Sequence, residues 1–247
     1  MIRMTDMAFS SESRYLNPLK VFVNDPRITD LELGPDKVDT DNQKIQDLEV
    51  GANKVGHKKQ DKIIAALKLL TFRERHVLVQ FWSACESGKN RLLTTTNQPF
   101  GLGVIDVGLR SYRKDSEGRS FSVDNDHEEE DCSPTSRVFG RGLPEWTSDL
   151  DNYTPKHFPQ QEFAIRCNLH GYLALPVFDS ATQLCVGVLE LLTSSKYTSY
   201  AYEARQVHNA LEVSILSLNC DNILFVTHQC LCSDLPLQVE PLRLNCS

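Results

Sequence analysis

Apolar residues in the first half of the chain recur with the period of a helix and then with that of strands. Ile63, Leu67 and Leu70 share one helix face, which predicts an amphipathic helix that begins near Lys58. The segment 76–100 then contains two runs rich in β-branched and aromatic residues around a Gly-containing turn. This pattern predicts an antiparallel hairpin.

A second hairpin is predicted further along the chain. Residues 172–178 and 184–193 form two apolar runs joined by a short polar turn, and residues 200–219 place apolar positions at helical spacing. Between the two hairpins, residues 133–171 predict two short helices with an irregular segment between them. Cap-type residues precede the first helix, and glycines follow both helices. The chain therefore alternates hairpins with helices.

This order of elements favours an α+β fold, in which helices pack on one face of an antiparallel sheet. The segment 135–170 is expected to lie over the other face and to close a cavity there. The seam between sheet and helices is predicted to consist of five apolar residues: Leu173, Leu175, Val186, Val188 and Leu211.

Composition supports one domain with polar ends. The chain has 247 residues, of which 40% are hydrophobic, enough for one sizeable core. We expect a flexible acidic leader at 1–57, a domain at 58–220 and a divergent, disordered tail at 221–247. The formal net charge of −7 argues against direct DNA binding, and no apolar run predicts a signal peptide or a membrane span. We therefore expect a soluble intracellular protein, in which the eight cysteines are mostly core thiols.

Six blocks of the sequence resemble a known family. They are "HVLVQFW", "LLTTTNQPF", "SRVFGRGLPEWTSDLDNY", "GYLALPVF", "CVGVLELLTSSK" and "ALEVSILSL". Their order and approximate spacing, over about positions 60–220, are similar to those of the N-terminal GAF-like region of plant NIN-like proteins. The resemblance implies a GAF-like regulatory domain of nitrate-responsive transcription factors, without a cofactor or an enzymatic activity of its own, in the nucleus and cytoplasm.

In that family the region is followed by an RWP-RK DNA-binding domain and a PB1 association domain. Neither motif is found in this chain, so we expect a truncated form that does not bind DNA directly. An alternative is a ligand-free interaction module that competes with full-length relatives for protein partners.

Three donor-bearing residues are candidates for binding nitrate, which is planar and only accepts hydrogen bonds. They are Arg166, His170 and Tyr172, at the entry to the second hairpin. The alternative is that Arg166 faces solvent and that Tyr172 is an ordinary strand aromatic. The chain also departs from the family pattern, which leads us to expect a His near Phe163, an Arg at His170 and a small hydroxyl residue at Tyr172.

Ser116 is a candidate phosphorylation site. In "SYRKDS", Arg113 precedes it by three residues, which is a spacing that basophilic kinases recognise, and the segment resembles the family's regulatory Tyr-Arg-x-x-Ser segment. The alternative is an unmodified serine in an exposed turn.

Enzymatic and metal chemistry have weaker support in the sequence. Cys185 with His170 is the best thiol dyad that the chain offers, but a buried strand cysteine and a helix-terminal histidine are the better explanation of the two residues. The "HQCLC" segment brings His228, Cys230 and Cys232 together, but a structural zinc site needs a fourth ligand. We therefore predict no metal site and no catalytic residue.

Overall fold

Helices and strands alternate along the part of the chain that the computed structural model describes. These residues are 16–23, 50–87, 90–123, 133–214 and 216–218. The helices are α1 (Val50–Leu69), α2 (Val107–Glu117), α3 (Pro134–Arg141), α4 (Gln161–Arg166) and α5 (Ala201–Val213), with a short 3-10 turn at Leu150–Asn152. The strands are β1 (Asn17–Pro18), β2 (Lys20–Phe22), β3 (Thr71–Phe72), β4 (Val77–Ser87), β5 (Asn90–Thr94), β6 (Phe100–Leu102), β7 (Ser120–Ser122), β8 (Glu145–Thr147), β9 (Gly171–Asp179), β10 (Cys185–Thr193) and β11 (Leu216–Ser217).

The two predicted hairpins form the centre of one antiparallel sheet. Its strands lie in the order β11, β9, β10, β4, β5 and β7, while β6 pairs with β4 and with β2, and β8 pairs with β9. The α+β arrangement and the antiparallel sheet are therefore confirmed. No helix among the described residues is both long and apolar enough to cross a bilayer.

Each face of the sheet has its own apolar core, because successive side chains of a strand point to opposite faces. The first core contains odd-numbered residues of β4 and β9, such as Val79 and Leu173, and packs against α1 and α5. The second core contains even-numbered residues, such as Trp82 and Tyr172, and lies beneath α2, α3 and α4. Helices thus cover both faces, and the polar residues considered below lie in the second core.

The predicted seam is correct except at one valine. Leu173, Leu175 and Leu211 belong to the first core, and Val186 is partly buried against it. Val188, however, belongs to the second core. The register of β10 against β9 shifts between Cys185 and Gly187, which is the signature of a β-bulge. This extra residue interrupts the alternation of side chains between the two faces of the sheet. Val186 and Val188, which are two positions apart, therefore point to opposite faces.

Part of the expected leader belongs to the fold. Lys20–Phe22 pairs with Phe100–Leu102 at the edge of the sheet, and α1 begins at Val50 rather than near Lys58. The remaining positions of the expected leader 1–57 lie outside the described residues, as does the tail 221–247.

The last helix is shorter than its apolar pattern predicts. It ends at Val213, and Leu216–Ser217 pairs with the end of β9 as a strand. Ser214 closes the helix, since its backbone N–H is bonded to the carbonyl of Leu211. The apolar residues that follow α5 therefore cover the sheet edge instead of continuing the helix.

Candidate functional site

A glutamate is fully buried at the centre of the sheet. Glu190 lies on β10 directly opposite Gln80 of β4, on the face of the second core. Its Oε2 atom accepts hydrogen bonds from Nε2 of Gln80 at 2.6 Å and from Nε1 of Trp82 at 2.8 Å. Burial raises the pKa of Glu190. The hydrogen bonds from Gln80 and Trp82, the nearby Tyr172 hydroxyl and the positive charge of Arg113 offset only part of that effect. No lysine or arginine among the described residues forms an ion pair with Glu190.

An arginine is buried close to this acid. Arg113 on α2 is 1% exposed, and its Nη1 atom donates a hydrogen bond to Oε1 of Gln80 at 3.1 Å. The guanidinium also bonds to the hydroxyl and carbonyl oxygens of Thr95 and to Oε1 of Glu117. Burial lowers the pKa of Arg113 to about 10, although the negative charges of Glu117 and Glu190 act to raise it. The guanidinium therefore remains a cation at neutral pH. Gln80 therefore lies between a buried base and a buried acid.

Ser116 connects α2 with the segment before α4. Its side chain is fully buried, and its Oγ atom donates to the carbonyl of Tyr112 at 2.9 Å. The same oxygen accepts hydrogen bonds from Nε2 of Gln80 at 3.1 Å and from Nε2 of Gln160 at 3.3 Å. Ser116 is thus a structural hydrogen-bonding centre in this conformation, not an exposed turn residue.

Two tyrosines bring hydroxyl groups into the same region. Tyr112 and Tyr172 are fully buried, with their rings packed on Phe163 and Phe158 at centroid distances of 6.4 Å and 5.0 Å. Neither hydroxyl makes a regular hydrogen bond to any described residue, although Tyr172 lies beside Glu190 and helps to lower the pKa of that acid. Burial raises the pKa of both tyrosines well above the ordinary value, so both keep their protons.

We refer to these side chains together as the buried polar cluster. It consists of Gln80, Trp82, Tyr112, Arg113, Ser116, Tyr172 and Glu190. The hydroxyls of Tyr112 and Tyr172, which make no regular hydrogen bond to a described residue, can donate to an acceptor, and the acid can hold a proton.

The three residues predicted to bind nitrate lie at different depths. Arg166 is exposed at the end of α4, with its guanidinium over the ring of Phe163 at 5.4 Å. His170 is half-buried; its backbone N–H donates to the carbonyl of Thr193 at 2.8 Å, and its Nδ1 atom has no hydrogen-bond partner among the described residues. Tyr172 belongs to the buried polar cluster. The structure therefore brings Tyr172 to the cluster and leaves Arg166 at the surface.

The proposed thiol dyad does not form. Cys185 pairs with Phe178 near one end of β9, whereas His170 immediately precedes Gly171 at the other end. At about 3.3 Å per residue, roughly 25 Å separates the two positions. Burial also raises the pKa of the Cys185 thiol to about 11, which disfavours a thiolate. The zinc candidates of the "HQCLC" segment lie outside the described residues.

The helix that carries much of the cluster was not predicted. Asp106 caps α2, since its Oδ1 atom accepts from the backbone N–H of Gly108 at 2.8 Å and of Leu109 at 3.2 Å. Leu109, Tyr112 and Ser116 then follow at helical spacing and are buried. The cap and this spacing were the available signals, but the neighbouring charged residues made the segment resemble an exposed turn.

Comparison with known proteins agrees with the sequence motifs. The chain is 42% identical over 139 residues to Protein NLP3 of Oryza sativa subsp. japonica, a match that covers 56% of this chain and 15% of that protein. It is 42% identical over 139 residues to Protein NLP6 of Arabidopsis thaliana, covering 56% of this chain and 16% of the relative. The chain is 31% identical over 155 residues to Protein NLP2 of Arabidopsis thaliana, a match that covers 62% of this chain and 16% of that protein. No protein-family model matches the chain.

These matches show what the domain is similar to. It is an α+β domain with a buried polar cluster on one face of its sheet, and over a little more than half of the chain it is similar to NIN-like proteins of plants. The resemblance drawn from the six sequence blocks is confirmed. The matched region spans only about 15% of the length of the curated relatives.

Proposed function

We propose that this chain is a regulatory domain of the kind that NIN-like transcription factors contain, and that it senses a small oxyanion, nitrate in the first instance. Its relatives at up to 42% identity support the regulatory role. In this proposal the domain acts in the nucleus and cytoplasm, without catalysis. The acidic balance of the chain, with a net charge of −7, disfavours direct contact with DNA phosphates.

The hydroxyls of Tyr112 and Tyr172, which make no regular hydrogen bond to any residue of the described part of the chain, carry the sensing proposal. A buried polar group without a hydrogen-bond partner costs about 1 to 3 kcal/mol, so a ligand that accepts from these groups recovers that energy on binding. Nitrate is small, planar and an acceptor at all three oxygens. It therefore matches two hydroxyl donors whose protons are retained at neutral pH.

The candidate binding residues then have separate roles. Tyr172 donates to the ligand from inside the second core, and His170 lies half-buried two residues before it. Arg166 is exposed, so its contribution is long-range attraction of the anion, which salt screens. On this basis Arg166→Ala weakens nitrate binding at low ionic strength more than at high ionic strength.

Calorimetric titration of nitrate into the wild type and two matched variants tests the proposal. Tyr172→Phe removes an unpaired hydroxyl, whereas Tyr200→Phe removes a buried hydroxyl that lies 2.8 Å from Oγ1 of Thr193 in the first core. We expect Tyr172→Phe to lose nitrate binding and Tyr200→Phe to retain it. Equal affinity of all three proteins, or equal heats with chloride at the same ionic strength, would overturn the proposal.

A second candidate function is that of an interaction module without a ligand. Ile105 and Val107 flank the cap of α2 and are 51% and 71% exposed, so they offer apolar side chains to a protein partner. The partners in this case include full-length relatives. Co-purification with a relative that Ile105→Ser with Val107→Ser abolishes, in the absence of any nitrate effect, would favour this function over sensing.

A further inference from the structure

The acid of the buried polar cluster conflicts with an anionic ligand. Tyr172 and Glu190 are diagonal neighbours on adjacent strands, since Glu190 pairs with Ala174 and Tyr172 pairs with Leu192. A nitrate that accepts from the Tyr172 hydroxyl therefore approaches the carboxyl group as well. Like charges in a buried site repel strongly, because little water screens them. Either the anion stays away or the carboxyl group is neutral when the anion is bound.

The groups that face Glu190 do not resolve this conflict by ion pairing. They come from three elements: Tyr172 from β9, Gln80 and Trp82 from β4, and Tyr112 and Arg113 from α2. Among these, only Arg113 is charged at neutral pH. Its guanidinium bonds directly to Gln80, Thr95, Gln98 and Glu117. Its positive charge acts on Glu190 through space, but its hydrogen-bond connection to that acid runs through Gln80.

We infer that a small planar oxyanion binds beside Glu190 together with one proton, which is taken from solvent and held by the Glu190 carboxyl group. This inference rests on the proposed sensing function and names the site that carries it: Glu190 with Tyr112 and Tyr172. Binding then leaves the net charge of the site unchanged, since one anion and one proton enter together. Release of the anion returns the proton to solvent.

The hydrogen bonds around Glu190 are consistent with this assignment of the proton. Oε2 already accepts from Gln80 and Trp82, so the proton resides on the other carboxyl oxygen, which becomes a donor. Three O–H groups then serve the anion: two from the tyrosines and one from the acid. Burial raises the pKa of Glu190, which makes this proton easier to hold than that of an exposed glutamate.

Coupled uptake of a proton makes the affinity for the anion depend on pH. Above the pKa of Glu190 in the free domain, the Kd for nitrate rises by up to tenfold per pH unit, because each binding event must first protonate the carboxylate. Below that pKa the Kd is constant. Chloride at equal ionic strength gives the non-specific background at each pH.

The experiment is a titration of nitrate between pH 5.5 and pH 9 with the wild type, Glu190→Gln and Glu203→Gln. Glu203 is the matched control, because it is also a buried acid but is paired with Arg73 at 2.7 Å and lies on α5. We expect the Kd of the wild type and of Glu203→Gln to rise with pH and that of Glu190→Gln to stay constant. Titration of the wild type in buffers of different ionisation enthalpy gives the proton uptake directly, up to one proton per nitrate at the alkaline end, without any variant.

The outcomes separate this inference from the function on which it rests. A nitrate-specific Kd that does not change with pH in the wild type, or zero proton uptake, overturns proton coupling and leaves nitrate sensing in place. The same slope in Glu190→Gln as in the wild type also overturns it. Absence of nitrate-specific binding at every pH, in the wild type and in Glu190→Gln alike, overturns both.

Discussion

Gln80 and Glu190 are register partners on adjacent strands, and Nε2 of Gln80 donates a hydrogen bond of 2.6 Å to Oε2 of Glu190. The amide oxygen of Gln80 accepts from Arg113 at 3.1 Å. One neutral side chain therefore contacts both a buried acid and a buried base. Such groups are tolerated in a core only when their hydrogen bonds are satisfied.

Replacement of Gln80 by an apolar residue should destabilise the fold. In Gln80→Leu, Glu190 and Arg113 each lose a buried hydrogen bond, so we expect the free energy of unfolding to fall by about 2 to 4 kcal/mol. Urea denaturation measures this change. Gln60→Leu is the control, since Gln60 makes only an exposed bond to the carbonyl of Asn97 and its loss should cost under about 1 kcal/mol. Similar losses for the two variants would contradict the role of Gln80.

The buried acid should make stability fall at high pH. Because the pKa of Glu190 is raised in the folded state, its ionisation favours unfolding as the pH rises through that value. Glu190→Gln should therefore be more stable than the wild type at alkaline pH, and this difference should shrink as the pH falls toward 4.5, the ordinary value of the group. Urea titrations at several pH values measure the difference.

Asp115 supplies a control of opposite sign. Burial raises its pKa, but hydrogen bonds from Arg119 and Gln160 outweigh burial and leave the pKa lowered. Its contribution to stability is therefore present at neutral pH and is lost as the pH falls through the folded-state value. Asp115→Asn should destabilise the domain at pH 7 and become neutral at low pH. If both variants showed the same pH trend, the assignment of the buried acid would be wrong.

Tyr172 and Tyr200, two of the fully buried tyrosines, should respond differently to the loss of their hydroxyls. The Tyr200 hydroxyl lies 2.8 Å from Oγ1 of Thr193, so Tyr200→Phe should cost about 1 kcal/mol. The Tyr172 hydroxyl makes no regular bond to a described residue but helps to lower the pKa of Glu190, so Tyr172→Phe should cost less stability than Tyr200→Phe in the ligand-free domain. Urea denaturation in ligand-free buffer tests the contrast. A larger loss for Tyr172→Phe than for Tyr200→Phe would show that its hydroxyl is already satisfied.

Phosphorylation of Ser116 should require displacement of α2. The side chain is fully buried and bonded to Gln80 and Gln160, so a kinase cannot reach it in the described conformation. We expect a basophilic kinase to modify a synthetic peptide of residues 107–121 at least tenfold faster than the folded domain. Initial rates of phosphate incorporation measure this ratio, with Ser116→Ala as the blank. Equal rates for peptide and domain would show that α2 opens freely.

The sequence predicted the parts of the fold that follow from the spacing of apolar residues and from helix-capping residues. Both hairpins follow from runs of apolar residues, and α3 follows from its cap Ser133 and from Gly142, which ends it at φ 65°. The bulge at Gly187 was not predictable, because a register shift depends on the partner strand and leaves no local mark. It reversed the expected orientation of Val188.

The buried polar cluster was predicted only at Tyr172. Arg113 and Ser116 belong to residue types that usually face solvent, so their burial against the sheet became visible only in the tertiary structure. Glu190 did leave a signal: it is the only charged residue of the apolar strand "CVGVLELLT". A lone acid in such a strand marks a buried polar site, because its ionised form is unfavourable there unless other groups compensate.

Thermal unfolding of the wild-type domain in nitrate and in chloride, at equal ionic strength and neutral pH, tests the central claim most directly. A ligand that binds only the folded state stabilises it by about 2.7 kcal/mol at a hundredfold excess over Kd, so Tm should rise in nitrate relative to chloride. This difference should disappear in Tyr172→Phe, whose hydroxyl lies beside Glu190 in the second core. The same Tm in the two salts would contradict the account, because general screening acts through either anion.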